Sequence, residues 1–284
     1  MVEAATRSSP GAGWSLSAPA VFLVVLLALA PSIALLAQAF SSPETGFPSL
    51  QHFTGLADSR LAVQALWRTL RIACLVTLCS VIAGYPLALL LLRAGRRAAS
   101  VILVIIIFPL MVSVVVRAFG WLVILGPSGI VNRALSAIGL IDQPLSMVHN
   151  EIGIVVGETQ LLLPYMVLSL VAVLQKVDPH LEEAALSLGA NPIVTFAKVI
   201  LPLSLPGLMS GILLVFNLAL TAFATPLLIG GPRVPLLTTL LYTYAFSSYD
   251  WGSAAAVAVV LIVLSFIFVT AQRIIASSWT VRHG

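Results

Sequence analysis

The sequence contains six apolar runs that are each long enough to cross a lipid bilayer. A helix needs about 20 residues to span a hydrocarbon core of about 30 Å. Because every backbone polar group inside lipid must find its partner within the protein, we expect helices rather than strands of an open sheet. The predicted spans are residues 19–40, 69–92, 99–125, 152–174, 207–229 and 253–276. The chain is therefore predicted to be an all-α integral membrane protein with a membrane domain over 19–276 and short tails at 1–18 and 277–284.

Composition narrows the function classes. The chain is 60% hydrophobic and 8% charged, unlike a soluble domain. Its net charge of +4 does not indicate nucleic-acid binding, because the basic residues are scattered at the ends of the runs instead of forming a patch with aromatic residues. Cys74 and Cys79 lie in one apolar run and are typical of buried thiols. The histidines match no metal motif: His52, His149, His180 and His283. We expect a lipid environment, no nucleic-acid partner and no metal site.

The number of spans fixes the relative placement of the termini. Six spans put both termini on one face of the membrane, and the positive-inside rule selects which face is cytoplasmic. The face with the termini carries Arg7, Arg93, Arg96, Arg97, Lys176, Lys198, Arg273 and Arg282. The opposite face carries fewer basic residues, chiefly Arg60, Arg68, Arg71, Arg133 and Arg233, although the cluster at 60–71 weakens the contrast. We predict that both termini are cytoplasmic.

One polar segment between the apolar runs, residues 178–206, is patterned for two short helices, and we call it the bracket. Asp178 can cap the first helix, and Gly189 suits the left-handed conformation that ends it. Asn191 followed by Pro192 predicts the start of the second helix. Apolar positions recur at helical spacing in both halves: Leu181, Ala184, Ala185 and Leu188, then Ile193, Phe196, Ala197 and Ile200. Pro202 and Pro206 are expected to close the unit.

The bracket resembles the EAA loop of permeases from ABC importers, the cytoplasmic element that binds the ATPase. The resemblance rests on Glu183-Ala184-Ala185, then Gly189, then Ile200-Leu201-Pro202. The whole chain resembles permeases of the spermidine/putrescine type. The resemblance implies a type I importer permease fold in a bacterial inner membrane, with a coupling loop over 176–206. An ordinary amphipathic hairpin at the membrane surface is the bland alternative.

The resemblance also implies partners and residue roles. The partners are an ABC ATPase dimer, a second permease subunit and a periplasmic or lipid-anchored solute-binding protein. A distinct second permease is favoured over a homodimer. The implied ATPase-coupling residues are Glu182, Glu183, Ala184, Ala185, Gly189, Ile200, Leu201 and Pro202. Glu183 is expected to make the polar contact with the ATPase, whereas Glu182 equally suits a solvated residue that supports the helix dipole.

The chain carries no phosphate-binding loop of the P-loop type. Such a loop needs Gly-Lys followed by Ser or Thr, and the lysines, Lys176 and Lys198, follow Gln175 and Ala197. We therefore expect that the chain is not an enzyme, that it holds no cofactor, and that ATP and Mg²⁺ bind a partner. In the mechanism that the resemblance implies, closure of two ATPases moves two brackets together and opens the path outward, and hydrolysis resets it.

Polar residues inside the spans are the candidates for the translocation path. Arg117 and Glu158 lie at similar depth, about 10 Å from the predicted outer ends of consecutive antiparallel spans, which permits a salt bridge. Alternatively, Glu158 lines the path and favours a cationic solute, or Arg117 reaches the membrane surface. Asn217 and Thr221 share a helix face and suit either the path or hydrogen bonds between helices.

Two further function classes fit the sequence less well. An ion-coupled secondary transporter often contains paired interrupted helices in two repeated halves, and no such duplication is evident in the sequence. An intramembrane enzyme lacks a supporting motif. The sequence therefore predicts an importer permease, with a polyamine-type solute as the nearest likeness.

Overall fold

The computed structural model describes residues 10–41 and 48–283, and this part of the chain is helical without a β-strand. The longer helices are α1 (Pro10–Ala39), α3 (Arg60–Arg93), α4 (Arg96–Met111), α5 (Val114–Leu125), α7 (Glu151–Leu174), α10 (Leu201–Leu220) and α12 (Trp251–His283). The shorter ones are α2 (Gln51–Asp58), α6 (Ile130–Ala137), α8 (His180–Ser187), α9 (Pro192–Thr195) and α11 (Leu237–Tyr242). The predicted all-α class is confirmed. Residues 1–9 of the predicted N-terminal tail lie outside the described residues, and α1 already begins at Pro10.

Within the described residues, six helical stretches are long and apolar enough to cross a membrane. They are Val21–Ala39, Arg60–Arg93, Val114–Ala137, Glu151–Leu174, Pro192–Leu220 and Trp251–Ile274. Helices α3, α7 and α10 form the centre, where the buried side chains form one apolar cluster around Met166 and Leu170. Helix α1 contacts α12 and leaves most of its described apolar side chains exposed, as expected of a helix surrounded by lipid or another subunit.

The predicted third span, 99–125, is two helices rather than one. Helix α4 ends at Met111, and Val112 and Ser113 adopt extended backbone angles before α5 begins. Pro109 has no N–H for the helical ladder, and the last carbonyls of a helix need partners from elsewhere. The Arg117 guanidinium supplies one, because Nη1 donates to the Pro109 carbonyl at 2.6 Å. The prediction of one continuous span is therefore wrong.

The second half of the bracket is not a separate helix. Helix α9 continues through a π-helical turn at Phe196–Ile200 directly into α10. In that turn the Leu201 N–H bonds to the Phe196 carbonyl, five residues back, and this wider turn admits Pro202 at the start of α10. The prediction that Pro202 and Pro206 close the unit is wrong, because Pro206 lies inside α10.

The predicted fifth span, 207–229, begins too late and ends too late. The helix ends at Leu220, and the following residues fold back as a π-helical turn at Pro226–Gly230 and the short α11. Pro226 has no N–H to bond the Ala222 carbonyl, so a continued helix would leave that carbonyl unpaired. The Thr238 hydroxyl donates to it instead, at 2.7 Å. Residues 221–229 are apolar because this segment packs against the bundle, and the sequence hydropathy therefore predicts a longer membrane-spanning helix than the structure has.

Candidate functional site

The bracket is shaped by local hydrogen bonds that the sequence predicts. Asp178 Oδ1 accepts a hydrogen bond from the His180 N–H at 2.9 Å, just before α8. Gly189 follows α8 with φ +87°, the left-handed conformation that suits glycine. Asn191 Oδ1 accepts from the Val194 N–H at 2.8 Å and caps α9. These contacts fix a sharp turn between two helices, as predicted.

The two glutamates of the bracket have different surroundings. Arg93, the last residue of α3, donates from Nη2 to Glu182 Oε1 at 2.6 Å, and the Glu182 side chain is 38% exposed. The Glu183 side chain is 71% exposed and lies 3.1 Å from His180 Nδ1. That hydrogen bond, followed by the charge of Asp178, raises the pKa of His180. Glu182 therefore ties α8 to α3, whereas Glu183 points away from the membrane-spanning helices.

The bracket also exposes a set of apolar side chains around its turn. Leu188 is 89% exposed and Ile193 is 77% exposed, while Leu181 and Leu186 are about half-exposed. Ala184 is exposed and adds little bulk on the same helix. An apolar patch that flanks a carboxylate and lies outside the membrane-spanning core is typical of a surface that binds another protein.

The other residues of the EAA-like motif lie outside this exposed patch. Ile200 is buried, Leu201 is partly buried and Pro202 is exposed, and all three lie where the π-helical turn joins α10. Ala185 is partly buried at the back of α8. The structure thus divides the predicted coupling residues into an exposed group on α8 and its turn, and a second group at the base of α10.

A contact at this base was missed in the sequence. Tyr85 on α3 and Ser204 on α10 are both buried, and their hydroxyl oxygens lie 2.5 Å apart. The Phe196 ring meets the Tyr85 ring edge-on, with 5.1 Å between the centroids. The sequence shows Gly84-Tyr85-Pro86 as a pattern typical of a kink, but nothing in it pairs Tyr85 with a serine 119 residues away.

Arg117 and Glu158 are both buried in the membrane-spanning part but do not form a salt bridge with each other. Arg117 bonds the Pro109 carbonyl, whereas its Nη2 atom and the Glu158 Oε2 atom have no hydrogen-bond partner among the described residues. A Cβ added at Gly157 would lie 3.0 Å from the Thr225 methyl group, so the segment after α10 packs closely beside Glu158. The pairing that the sequence permits is not formed in this structure.

Asn217 and Thr221 make hydrogen bonds within their own helix. Asn217 Nδ2 donates to the Leu213 carbonyl at 3.0 Å, and Thr221 Oγ1 donates to the Asn217 carbonyl at 2.9 Å. They do not join neighbouring helices through these bonds. Thr221 is exposed and lines an apolar cavity of about 320 Å³ between α10 and α12, together with Ser265 and Phe266.

Two of the arginines that weakened the orientation argument are paired. Arg68 Nε donates to Glu151 Oε1 at 3.2 Å, and Arg71 also donates to the Glu151 carboxylate. Arg68 further bonds the Pro235 carbonyl at 3.4 Å. This cluster joins α3, α7 and the segment before α11. No group of three or more potential metal ligands occurs among the residues that the structure describes.

Comparison with known proteins decides the family. The model of the family described as "Binding-protein-dependent transport system inner membrane component" matches residues 79–281. The chain belongs to this family. It is a permease subunit of an ABC importer, and permeases of this family are not themselves enzymes. The family also favours an importer over an ion-coupled secondary transporter.

Curated relatives cover most of the chain. The spermidine/putrescine transport system permease protein PotB of Haemophilus influenzae is 31% identical over 253 residues, covering 87% of this chain and 88% of the relative. PotB of Escherichia coli is 31% identical over 216 residues, covering 76% and 78%. The molybdenum transport system permease protein ModB of Mycobacterium bovis is 31% identical over 218 residues, covering 76% and 81%.

Solved structures share the fold. A bacterial ABC transporter involved in the import of the acidic polysaccharide alginate matches with a TM-score of 0.76 and 21% identity, over 93% of this chain and 94% of that chain. The MetNI methionine ABC transporter in an inward-facing conformation matches with a TM-score of 0.58 and 20% identity, over 76% and 95%. The predicted type I importer permease fold is confirmed.

Proposed function

We propose that this chain forms half of the translocation path of a polyamine-type importer and binds its ATPase through the bracket. The PotB relatives support the polyamine assignment. The main support for this proposal is the difference in surroundings between Glu182 and Glu183. Glu182 is held by Arg93, whereas Glu183 is presented to solvent beside an exposed apolar patch.

The exposed group on the bracket has the composition of a protein-binding surface. Leu188 and Ile193 would lose most of their contact with water in a groove, and burial of each large apolar side chain contributes about 1.5–3 kcal/mol. Glu183 supplies a charge that fixes orientation, and the small Ala184 leaves room for the opposing wall of the groove. Gly189 holds the turn between the two exposed apolar residues.

The remaining assignments follow from this arrangement. ATP and Mg²⁺ bind the partner ATPase dimer, since the sequence lacks a P-loop. A second, distinct permease completes the path, and a solute-binding protein delivers the solute on the opposite face. Both termini share the cytoplasmic face with the bracket. The distribution of basic residues supports this orientation, because more of them lie on this face than on the opposite one.

Glu158 supports a cationic solute. Its carboxylate is buried, and one oxygen has no hydrogen-bond partner in the described part of the chain. An ionisable side chain inside a membrane span is costly and marks a functional site by default, and a carboxylate there attracts a cation. Asn217 and Thr221 are proposed to add polar groups to the same path, and Arg117 holds the helix break beside it. We therefore expect transport of spermidine or putrescine and no transport of an oxyanion such as molybdate.

The test combines purification with uptake. Glu183→Ala should weaken binding of the ATPase about tenfold, equivalent to 1.4 kcal/mol, whereas Glu182→Ala should have a smaller effect on binding. Leu188→Asp should abolish binding. Leu140→Asp is the matched control, because Leu140 is also well exposed but lies outside the bracket.

Uptake of radiolabelled spermidine in cells should follow the binding result. The proposal fails if the purified wild-type permease binds no ATPase, or if Glu183→Ala and Leu188→Asp both leave ATPase binding and uptake at the level of the Leu140→Asp control. Uptake of molybdate instead of spermidine would overturn the solute assignment and leave the coupling assignment in place.

A further inference from the structure

A buried pair of hydroxyl groups links α3 to α10 at the point where the bracket enters the bundle. Tyr85 Oη and Ser204 Oγ lie 2.5 Å apart. Ser204 is fully buried and Tyr85 is 7% exposed, so water does not compete for this bond. Removal of the Ser204 hydroxyl would leave the buried Tyr85 hydroxyl without this partner, which costs more than loss of an exposed hydrogen bond.

The direction of this hydrogen bond follows from its neighbour. Ser204 Oγ donates its one hydrogen to the Leu201 carbonyl at 2.9 Å. Tyr85 must therefore be the donor to Ser204. Leu201 in turn donates its N–H to the Phe196 carbonyl, the bond that closes the π-helical turn. Leu201 is thus held through its carbonyl by Ser204 and through its N–H by Phe196, the first residue of that turn.

Tyr85 also contacts the π-helical turn directly, through its aromatic ring. The Phe196 ring packs edge-on against the Tyr85 ring, with 5.1 Å between centroids and 81° between the planes. Tyr85 therefore contacts the turn with its ring and the start of α10 with its hydroxyl. Because α9 passes into α10 through this turn, a shift of the bracket must change one or both of these contacts.

Helices α3 and α10 pack closely against α7. Cβ atoms added at Gly84 and Gly211 would lie 2.8 Å and 2.6 Å from the Met166 side chain. A Cβ at Gly207 would lie 2.8 Å from the Ser169 carbonyl oxygen on α7. Close-packed interiors move as units and do not absorb small shifts. A displacement delivered to Tyr85 and Ser204 is therefore passed to α3, α7 and α10 together.

We propose that Tyr85 and Ser204 are positioning residues that transmit bracket movement into the membrane-spanning bundle. Their hydrogen bond keeps ATP hydrolysis on the partner coupled to solute movement through this chain. The inference rests on the proposed function, because it needs an ATPase on the bracket. It assigns a role to two buried residues that do not belong to the exposed surface proposed to bind the ATPase.

The test measures the number of solute molecules moved per ATP hydrolysed. Wild type, Tyr85→Phe, Ser204→Ala and the double variant are purified as complete complexes with ATPase, second permease and binding protein, and are reconstituted in proteoliposomes with radiolabelled spermidine. Each single variant should retain ATP hydrolysis and lower the ratio at least about fivefold. The double variant should fall no further than the worse single variant, because both changes remove the same bond.

The matched control is Tyr165→Phe on α7. Tyr165 is partly buried, and its hydroxyl makes no hydrogen bond to the residues that the structure describes, so the ratio should stay at the wild-type value. Phe196→Leu, which keeps both hydroxyls and removes the ring contact, should lower the ratio in the same direction.

Failure of the two proposals can be told apart. A wild-type complex without bound ATPase would overturn the proposed function and this inference with it. Variants that bind ATPase and keep a ratio within twofold of the Tyr165→Phe control would overturn this inference alone. Loss of ATPase binding together with a lower melting temperature in the variants would assign the bond to stability, and would also overturn it.

Discussion

The close approach of α10 to α7 at Gly207 gives a prediction whose size can be worked out from the structure. A Cβ at this position would lie 2.8 Å from the Ser169 carbonyl oxygen and 3.0 Å from the Val173 Cβ. Ordinary contacts begin near 3.4 Å, so the helices would have to separate by 3.4 − 2.8 = 0.6 Å. The obstacle is backbone, which cannot turn aside as the end of a flexible side chain can. Overpacking of this kind costs about 1–3 kcal/mol.

The experiment compares Gly207→Ala with Gly120→Ala. Gly120 lies inside α5, and a Cβ there would meet nothing within 4 Å. Both changes gain about 1 kcal/mol of helix propensity, so the difference between them isolates the close approach. Unfolding of the purified chain in mixed micelles, followed by circular dichroism against denaturing detergent, should show Gly207→Ala less stable than Gly120→Ala by about 1–3 kcal/mol. Equal stabilities within about 0.5 kcal/mol would show that α7 and α10 accommodate the added methyl group without overpacking.

Three further predictions concern charged residues. Arg93→Ala should remove the ion pair with Glu182 and speed amide hydrogen exchange in α8, which carries Glu182. The cost to stability should be at most about 1 kcal/mol, because the pair is partly exposed. Unchanged exchange in α8 would contradict the pairing. NMR titration should give His180 a pKa above the ordinary value of 6.5, since Glu183 stabilises the protonated ring. The local stabilisation is therefore present at low pH and lost as pH rises through the folded-state pKa, and Glu183→Gln should move the pKa downward. Glu158→Gln should lower spermidine uptake without lowering the unfolding stability, because the buried carboxylate has an oxygen without a partner; a loss of stability equal to that of a broken buried ion pair would count against this reading.

The parts of the structure that local chemistry determines could be predicted from the sequence. Hydropathy identifies the membrane-spanning class, because each span must satisfy its own backbone in lipid. The turn at Gly189 and the cap at Asn191 are predictable because a left-handed turn and a helix cap depend on a few neighbouring residues. The sequence also favours Glu183 as an exposed residue, although its contrast with Glu182 depends on Arg93, which is 89 residues away from Glu182.

The parts that depend on contacts between distant residues could not be predicted. Pro202 indicates a helix boundary by its own chemistry, yet a π-helical turn lets the helix continue through it. Hydropathy alone would extend α10 beyond Leu220, yet the helix ends there and the Ala222 carbonyl accepts a hydrogen bond from the Thr238 hydroxyl instead of from a helical N–H. The Tyr85 and Ser204 pair has no signature in either local segment.

The bracket is attached to α3 at two heights. Arg93 bonds Glu182 at the C-terminal end of α3, and Tyr85 contacts Phe196 eight residues earlier. At 1.5 Å per residue these attachments are separated by about 12 Å along one rigid axis. If the bracket were attached to α3 at one point, it could rotate about that point. Because it is attached at two separated points along α3, it cannot tilt about either of them. In the proposed coupling, movement of the ATPase would therefore tilt α3 rather than rotate the bracket in place.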